Sequence, residues 1–266
     1  MSSEIHETAI IHPDAEIGAD CRIGPYCIIG EKVALGDGCY LHGHVVLDGN
    51  LTIGRKAEIF PFACLGKQTQ DLKFKGEEGS ITIGDDVTLR EYVTVNMPTS
   101  GDGETTIGDN CHLLAYCHIA HDCRLGNQIV MSNSTHLAGH VIVEDRVVFG
   151  GMIGVHQFCR LGTMAMIGAH SKVVQDIVPY SLADGNPASP RSVNKVAMQR
   201  NDLDAETVKA VTSAHKTLFR SHLTQEQALA EINGENENIP AVNDIITFIT
   251  NSERGIARPK TKNQSE

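Results

Sequence analysis

The chain has 266 residues, 41% of them hydrophobic, and a formal charge of −11 from 33 acidic and 22 basic side chains. That balance excludes a general binder of nucleic acid or anionic membrane, because neutralising phosphate needs clustered Lys and Arg, and no apolar run approaches the roughly 18 residues of a transmembrane helix. With aromatics at 5%, no Trp and 25 Gly, the interior must be filled by stacked small and aliphatic side chains, which suits a solenoid better than a bulky globular core.

The opening residues, MSSEIHETAI, contain no apolar signal-peptide core. From Ile11 an aliphatic residue then recurs at every sixth position, through Ile17, Ile23, Ile29, Leu35, Leu41, Leu47, Ile53 and Ile59 to Leu65. A helix repeats at 3.6 residues and a strand at 2, so neither accounts for this period. A chain turning at regular corners does: three six-residue units close a triangular coil of about 18 residues, the aliphatic side chain points inward, and successive coils stack about 4.8 Å apart. Gly often follows the aliphatic residue, as at Gly18, Gly24 and Gly36, and is expected to relieve crowding where the backbone bends. The eight cysteines, at 21, 27, 39, 64, 111, 117, 123 and 159, sit on repeat positions and not in CxxC pairs. They read as small buried thiols in a reducing cytoplasm.

A polar, Gly-rich stretch at 67–81 interrupts the coils, which return at Ile83, Leu89 and Val95. A second such stretch, 96–106, is followed by an unbroken series from Ile107 through Leu113, Ile119, Leu125, Met131, Leu137, Val143, Phe149, Val155, Leu161 and Ile167 to Val173. Both stretches are expected to be loops projecting from corners, on a face that solenoids use for binding. The pattern stops after GNPASP, which places a β-helix at 1–190 and a small α-helical domain at 191–266. Helices are predicted from Asp204, with Val208, Val211 and Leu218 on one face, and over Gln225–Ile232 and Ala241–Thr250; the tail from Pro259 is polar.

Residues 18 apart lie above one another wherever no loop intervenes, which turns the segment 107–175 into geometry. His118 stacks under His136, His121 under Gly139 and Gln157, and Asp122 under His140. Each His alone reads as a solvent-facing corner residue, but His118, His121, His136, His140 and His156 gather within about three coils. A neutral imidazole accepts a proton near pH 7 and a carboxylate fixes its tautomer, so His121 with Asp122 is the best base-bearing pair, provided both sit at a corner. Gly139, one coil above, offers an unobstructed backbone N–H that could bind an oxyanion.

At CHIAHDC (117–123), LAGHV (137–141), GVHQF (154–158), QDLK (70–73), DGNPA (184–188), AHKTLFRS (214–221) and NSERGI (251–256), the chain resembles the acyl carrier protein-dependent UDP-N-acetylglucosamine O-acyltransferases of lipid A synthesis. The resemblance spans nearly the whole chain and supplies the left hand of the β-helix, which spacing alone does not. It implies a cytoplasmic homotrimer, with active sites between adjacent β-helices, that transfers an (R)-3-hydroxyacyl group from acyl carrier protein to the 3-hydroxyl of UDP-N-acetylglucosamine. By match, His121 takes the hydroxyl proton, Asp122 supports it and the Gly139 amide is the oxyanion donor; no cofactor, metal or covalent enzyme intermediate is implied. Gln70, Asp71, Lys73, His118, His140, His156, Gln157, Asn194 and Arg200 match substrate-binding positions, and Ala169 matches the position that gauges acyl length, often a Gly.

Departures from the family pattern fall at Val196, in place of an acidic residue, at Asn201, in place of a second arginine after Arg200, and at Asn96, Met97 and Pro98, in place of a His-Arg-Gly-like run. Two other enzymes are compatible with such coils. A zinc-dependent, carbonic anhydrase-like β-helix would need three convergent His, but its pair five residues apart is missing: His118 and His121 differ by three, His136 and His140 by four. The sister N-acyltransferase, acting later on the acylated sugar, carries an extra N-terminal domain, whereas here repeats begin by Ile11. A noncatalytic β-helix would not require the three His- and Lys-bearing motifs together. The same base would serve a 3-hydroxyl or a 3-amino acceptor.

Overall fold

The six-residue spacing produces very short strands, most of two residues, each with one side chain in and one out. Arg22–Ile23, Glu58–Ile59 and His118–Ile119 are examples, and in each the Ile is buried. A computed structural model describes residues 3–235 and 239–259. The chain is a left-handed parallel β-helix: among the described residues sheets of 11, 9 and 8 strands form its three faces, and up to Gly154–Val155 each strand pairs with the third one after it. Register follows the aliphatic columns. Ile23 pairs with Leu41, Leu41 with Ile59, Ile119 with Leu137 and Leu137 with Val155, all parallel. Across the first insertion Ile59 pairs with Leu89, so the loop is extruded and the column is kept. These inward side chains form one continuous core running the length of the prism, and each fully buried Ile, Leu or Phe contributes roughly 1.5–3 kcal/mol.

The corners rely on two kinds of residue. The left-handed turn falls mostly three positions after the inward aliphatic residue and mostly on non-glycine side chains, among them Tyr26, His44, Asp122 and His140, each with φ of +59°, while Gly66, directly after Leu65, takes it itself at φ +81°. The glycines relieve crowding, as expected. A Cβ on Gly36 would lie 2.6 Å from the backbone carbon of Gly54 in the next coil, closer than the stacking distance allows.

The loops are shorter than the composition suggested. Strands Cys64–Lys67 and Ser80–Ile83 bracket the first, leaving 68–79, and Thr94–Asn96 and Glu104–Ile107 bracket the second, leaving 97–103. Asn96, Thr105 and Thr106 therefore belong to sheets, Asn96 pairing with Lys67 and the β-branched Thr105 and Thr106 with Ile81 and Thr82 despite breaking the hexad. The boundary at 190 also falls inside a strand: Ser181–Gly185 extends the 11-stranded sheet and turns back antiparallel as Ala188–Val193.

The C-terminal part consists of α1 (Lys195–Arg200), α2 (Ala205–Arg220), α3 (Gln225–Glu235) and α4 (Pro240–Thr250). Asp204 caps α2 by accepting from the Thr207 N–H at 2.7 Å. Val211, Leu218, Ile245 and Phe248 pack with Met164, Val178 and Tyr180 of the last coil in a second core. A buried carboxylate ties the parts together: Asp176 accepts from the Arg160 N–H at 2.8 Å and from the Ser252 hydroxyl at 2.6 Å. The tail beyond Pro259 lies outside the described residues. Among the described residues no helix is long and apolar enough to cross a membrane.

Candidate active site

His121 and Asp122 occupy one corner, where the left-handed backbone of Asp122 breaks the strand alternation that would point neighbouring side chains apart. Their side chains meet, with His121 Nδ1 2.9 Å from Asp122 Oδ2 and both side chains largely buried, at 14% and 11% exposure. A carboxylate only accepts, so Nδ1 carries the hydrogen and Nε2 keeps its lone pair. That is the tautomer a general base needs.

Gly139 stacks directly above. The coils are joined here by the His140 N–H donating to the His121 carbonyl at 3.0 Å. A Cβ built on Gly139 would approach His121 Nδ1 to 2.9 Å and the ring's Cε1 and Nε2 more closely still. Glycine at this corner thus lets the imidazole lie flat against the backbone. The Gly139 N–H donates to no backbone oxygen of the described residues. The Gly139 corner and the His121 ring are therefore in close contact, and that amide has no backbone acceptor among the described residues.

Asp122 is held from a side that the hexad arithmetic could not reach. The Thr99 hydroxyl donates to its Oδ2 at 2.7 Å, the Thr99 N–H donates to the same oxygen at 3.1 Å, and the Thr105 hydroxyl accepts the Asp122 N–H at 2.9 Å. Burial pushes the Asp122 carboxyl up, but the bonds from Thr99 and His121 and the nearby His140 outweigh it and hold the group below the usual carboxylate range. His140 Nε2 lies 3.8 Å from Asp122 Oδ2, and its ring stacks on Phe158 with centroids 4.6 Å apart. His121, Asp122 and His140 bring ligand atoms within 4.8 Å of one another, a spacing a metal ion could use. The Thr99 and His121 hydrogen bonds already engage Asp122 Oδ2.

Two grooves flank this corner. One, of about 690 Å³, is lined by Asp122, His140, Phe158, Arg124, Arg160 and Arg254 among others. Its three arginines stand among five carboxylates, those of Asp102, Glu104, Asp122, Asp176 and Glu253, and none of the three was singled out by the sequence reading. The other groove, of about 360 Å³ and mostly apolar, is lined by His118, Ala120, His136, Ala138, Val155 and Lys172, with His156 at its edge. His118 shares a 2.7 Å hydrogen bond with Thr94 Oγ1; burial and the neighbouring His136 and His121 push its pKa down, so it stays neutral. Arg254 donates to the Val174 carbonyl at 2.8 Å and to His156 Nδ1 at 2.9 Å, which fixes His156 as an acceptor. Gln157, exposed, follows one coil above Gly139.

The other predicted residues are not at this corner within one chain. Gln70, Asp71 and Lys73 lie on the 68–79 loop, where the Lys73 N–H donates to Asp71 Oδ1 at 2.8 Å, and the intervening Leu72 is fully exposed. Asn194 is 6% exposed and serves the fold: its Oδ1 caps α1 by accepting from the Ala197 N–H at 3.2 Å, and its Nδ2 donates to the Met164 carbonyl at 2.9 Å. Arg200 ends α1 and Val196 is exposed on the same helix. Ala169 is exposed at the corner preceding the last coil, against Gly150, whose added Cβ would lie 3.2 Å from the Ala169 methyl.

Comparison with known proteins places this arrangement. Residues 176–257 match a family described as UDP N-acetylglucosamine O-acyltransferase, domain 2, and residues 5–100 match one described as GMPPB C-terminal domain. The acyl-[acyl-carrier-protein]–UDP-N-acetylglucosamine O-acyltransferase of Synechocystis is 40% identical over 78% of this chain and 75% of its own length; that of Herminiimonas arsenicoxydans is 42% identical over 77% and 80%. Among solved structures, LpxA of Acinetobacter baumannii superposes with a TM-score of 0.92 at 42% identity, covering 96% of this chain and 99% of that one. UDP-N-acetylglucosamine acyltransferase of Francisella novicida superposes with a TM-score of 0.94 at 32% identity, over 97% and 95%. With identities at this level across most of both partners, the chain belongs to the family of acyl-[acyl-carrier-protein]–UDP-N-acetylglucosamine O-acyltransferases.

Proposed function

We propose that this chain transfers an (R)-3-hydroxyacyl group from acyl carrier protein to the 3-hydroxyl of UDP-N-acetylglucosamine, the first step of lipid A biosynthesis. The observation that carries the reading is the His121 imidazole, oriented by Asp122 and lying against the Gly139 amide. His121 Nε2 takes the proton of the sugar hydroxyl as its oxygen attacks the thioester carbon. The carbonyl oxygen becomes an oxyanion and accepts from the Gly139 N–H, a class of interaction worth about 10²–10³ in rate. Collapse breaks the C–S bond, the protonated His121 returns its proton to the departing thiolate, and the ester is left on the sugar. The thioester is already activated, so neither a covalent enzyme intermediate nor a metal or cofactor is required.

The arginines of the larger groove suit a diphosphate, since a guanidinium donates two parallel bonds to phosphate oxygens. The apolar groove beside Ala120 and Ala138 suits the acyl chain. Gln70, Asp71, Lys73 and Arg200 complete the site from an adjacent copy in a homotrimer, and the exposed Leu72 beside them supports a contact at the loop tip. The eight free cysteines fit a reducing cytoplasm.

A coupled assay with hydroxyacyl carrier proteins, offering UDP-N-acetylglucosamine and its 3-amino analogue, tests the reading. The hydroxyl acceptor is expected to turn over, and His121→Ala to lose at least about 100-fold in rate while remaining folded. Undiminished turnover by that variant would remove His121 from the chemistry.

A further inference from the structure

The N–H of Gly139 and the carbonyl of Ala138 belong to one peptide unit, and that carbonyl has a partner inside the coil. The Cys123 thiol donates to it, with Sγ 3.1 Å from the oxygen. Cys123 is two residues past His121, fully buried, and no backbone N–H of the described residues donates to the Ala138 oxygen.

The geometry recurs along the prism. Cys21 donates to Gly36, Cys27 to His42, Cys39 to Gly54, Cys111 to Gly126 and Cys117 to Ser132, at sulfur–oxygen distances of 3.0 to 3.3 Å, each reaching the carbonyl fifteen positions on. Thr135 does the same with its hydroxyl, at 3.0 Å from the Gly150 oxygen. A corner carbonyl turned towards an apolar interior would otherwise be unsatisfied, so a small buried donor is favoured there. At Cys123 alone the peptide so held is the one whose amide lies against the His121 ring.

We infer that Cys123 is a positioning residue for acyl transfer, its thiol fixing and polarising the 138–139 peptide so that the Gly139 N–H becomes a better donor to the oxyanion. This rests on the reading of Gly139 as that donor. Hydrogen bonding at one end of a peptide strengthens the donor at the other, by about 10–30% per bond in condensed phases. A thiol is a weak donor, so the expected effect is several-fold in kcat, well below the loss from removing the amide itself. Burial pushes the Cys123 thiol up to about 12, so it keeps its hydrogen throughout the working range.

Other coils supply the test variants. The stacked interior position above Cys123 is Val141 and the one below it is Thr105, both accommodated without exposure. Cys123→Val therefore removes the donor at nearly constant shape, and Cys123→Thr supplies a hydroxyl of the kind Thr135 already uses. Cys111→Val is the control, since Cys111 makes the same bond to Gly126 away from His121. The measurements are kcat, KM, Tm and the amide shift of Gly139 by NMR. The expectation is that the two Val variants change Tm alike, that only Cys123→Val loses about 5-fold in kcat at unchanged KM and moves the Gly139 amide, and that Cys123→Thr restores both. An unmoved amide overturns the inference while leaving the role of Gly139 intact. A moved amide with kcat no lower than in Cys111→Val overturns it by removing Gly139 from the chemistry.

Discussion

The Thr99 hydroxyl donates to Asp122 Oδ2 at 2.7 Å, so the loop that interrupts the coils at 97–103 ends on the carboxylate that orients His121. A hydrogen bond to a charged acceptor is worth roughly 1.5–3 kcal/mol, and here the Thr99 N–H keeps part of the interaction when the hydroxyl is lost. Thr99→Val is therefore expected to lower kcat by about 10-fold, while Thr99→Ser retains it. The hydroxyl also helps hold Asp122 below the usual carboxylate range, so its removal raises that pKa and shifts the acid limb of the kcat–pH profile upward. A Thr99→Val profile that superimposes on the wild type would separate the loop from catalysis.

The reach of the sequence can be judged from these same residues. His121, Gly139 and His140 were placed correctly because the register from 107 to 175 is unbroken, and a fixed turn length converts position into height. Thr99 and Thr105 were missed because an extruded loop has no period: only the folded chain shows that it bends back over the corner. Arg254 was missed for a related reason, since it reaches His156 from the helical end, across 98 residues. The crowding role of the corner glycines was legible, but the left-handed residues that turn the corners were not, because spacing alone does not show which position bends the backbone.

His215 makes stability depend on pH. It is 6% exposed on α2, its ring packs edge-on against Phe219 with centroids 4.7 Å apart, and burial, with a smaller contribution from Arg220, pushes its pKa down to about 4. The unfolded chain binds a proton there below about 6.5, whereas the folded chain does not until about pH 4, so folding is opposed increasingly as pH falls through that window. The full difference is on the order of 3 kcal/mol at its lower end. Tm measured at pH 7.5 and pH 5 is expected to fall more for the wild type than for His215→Leu. Equal falls in the two proteins would show that other groups carry the acid sensitivity.

The three ligand atoms of His121, Asp122 and His140 invite a metal-based alternative, which makes chelation informative. In the proposed mechanism His121 Nε2 needs its lone pair for the sugar proton, and an ion held by the imidazole or by Asp122 would disrupt that arrangement. Activity after exhaustive EDTA treatment is expected to be unchanged, and added zinc is expected to inhibit. Activity lost to the chelator and restored by zinc would transfer the base function to a metal-bound hydroxide.

Acyl length is expected to be set where Ala169 stands. Its methyl is exposed at a corner and lies against Gly150 of the coil below, so it narrows whatever passes between that corner and a neighbouring protomer. Forcing extra methylenes past a filled position costs typically about 1–3 kcal/mol, equivalent to roughly 5- to 150-fold in discrimination between chains. Ala169→Gly is accordingly expected to move the preference towards longer hydroxyacyl groups without changing the rate for short ones, because the reacting carbonyl stays at His121 and only the far end of the chain gains room. Rates across a series of acyl carrier proteins differing by two carbons resolve this. Identical length profiles for the two proteins would mean that the chain runs elsewhere, and the apolar groove beside Ala120 and Ala138 would then have to end at another side chain.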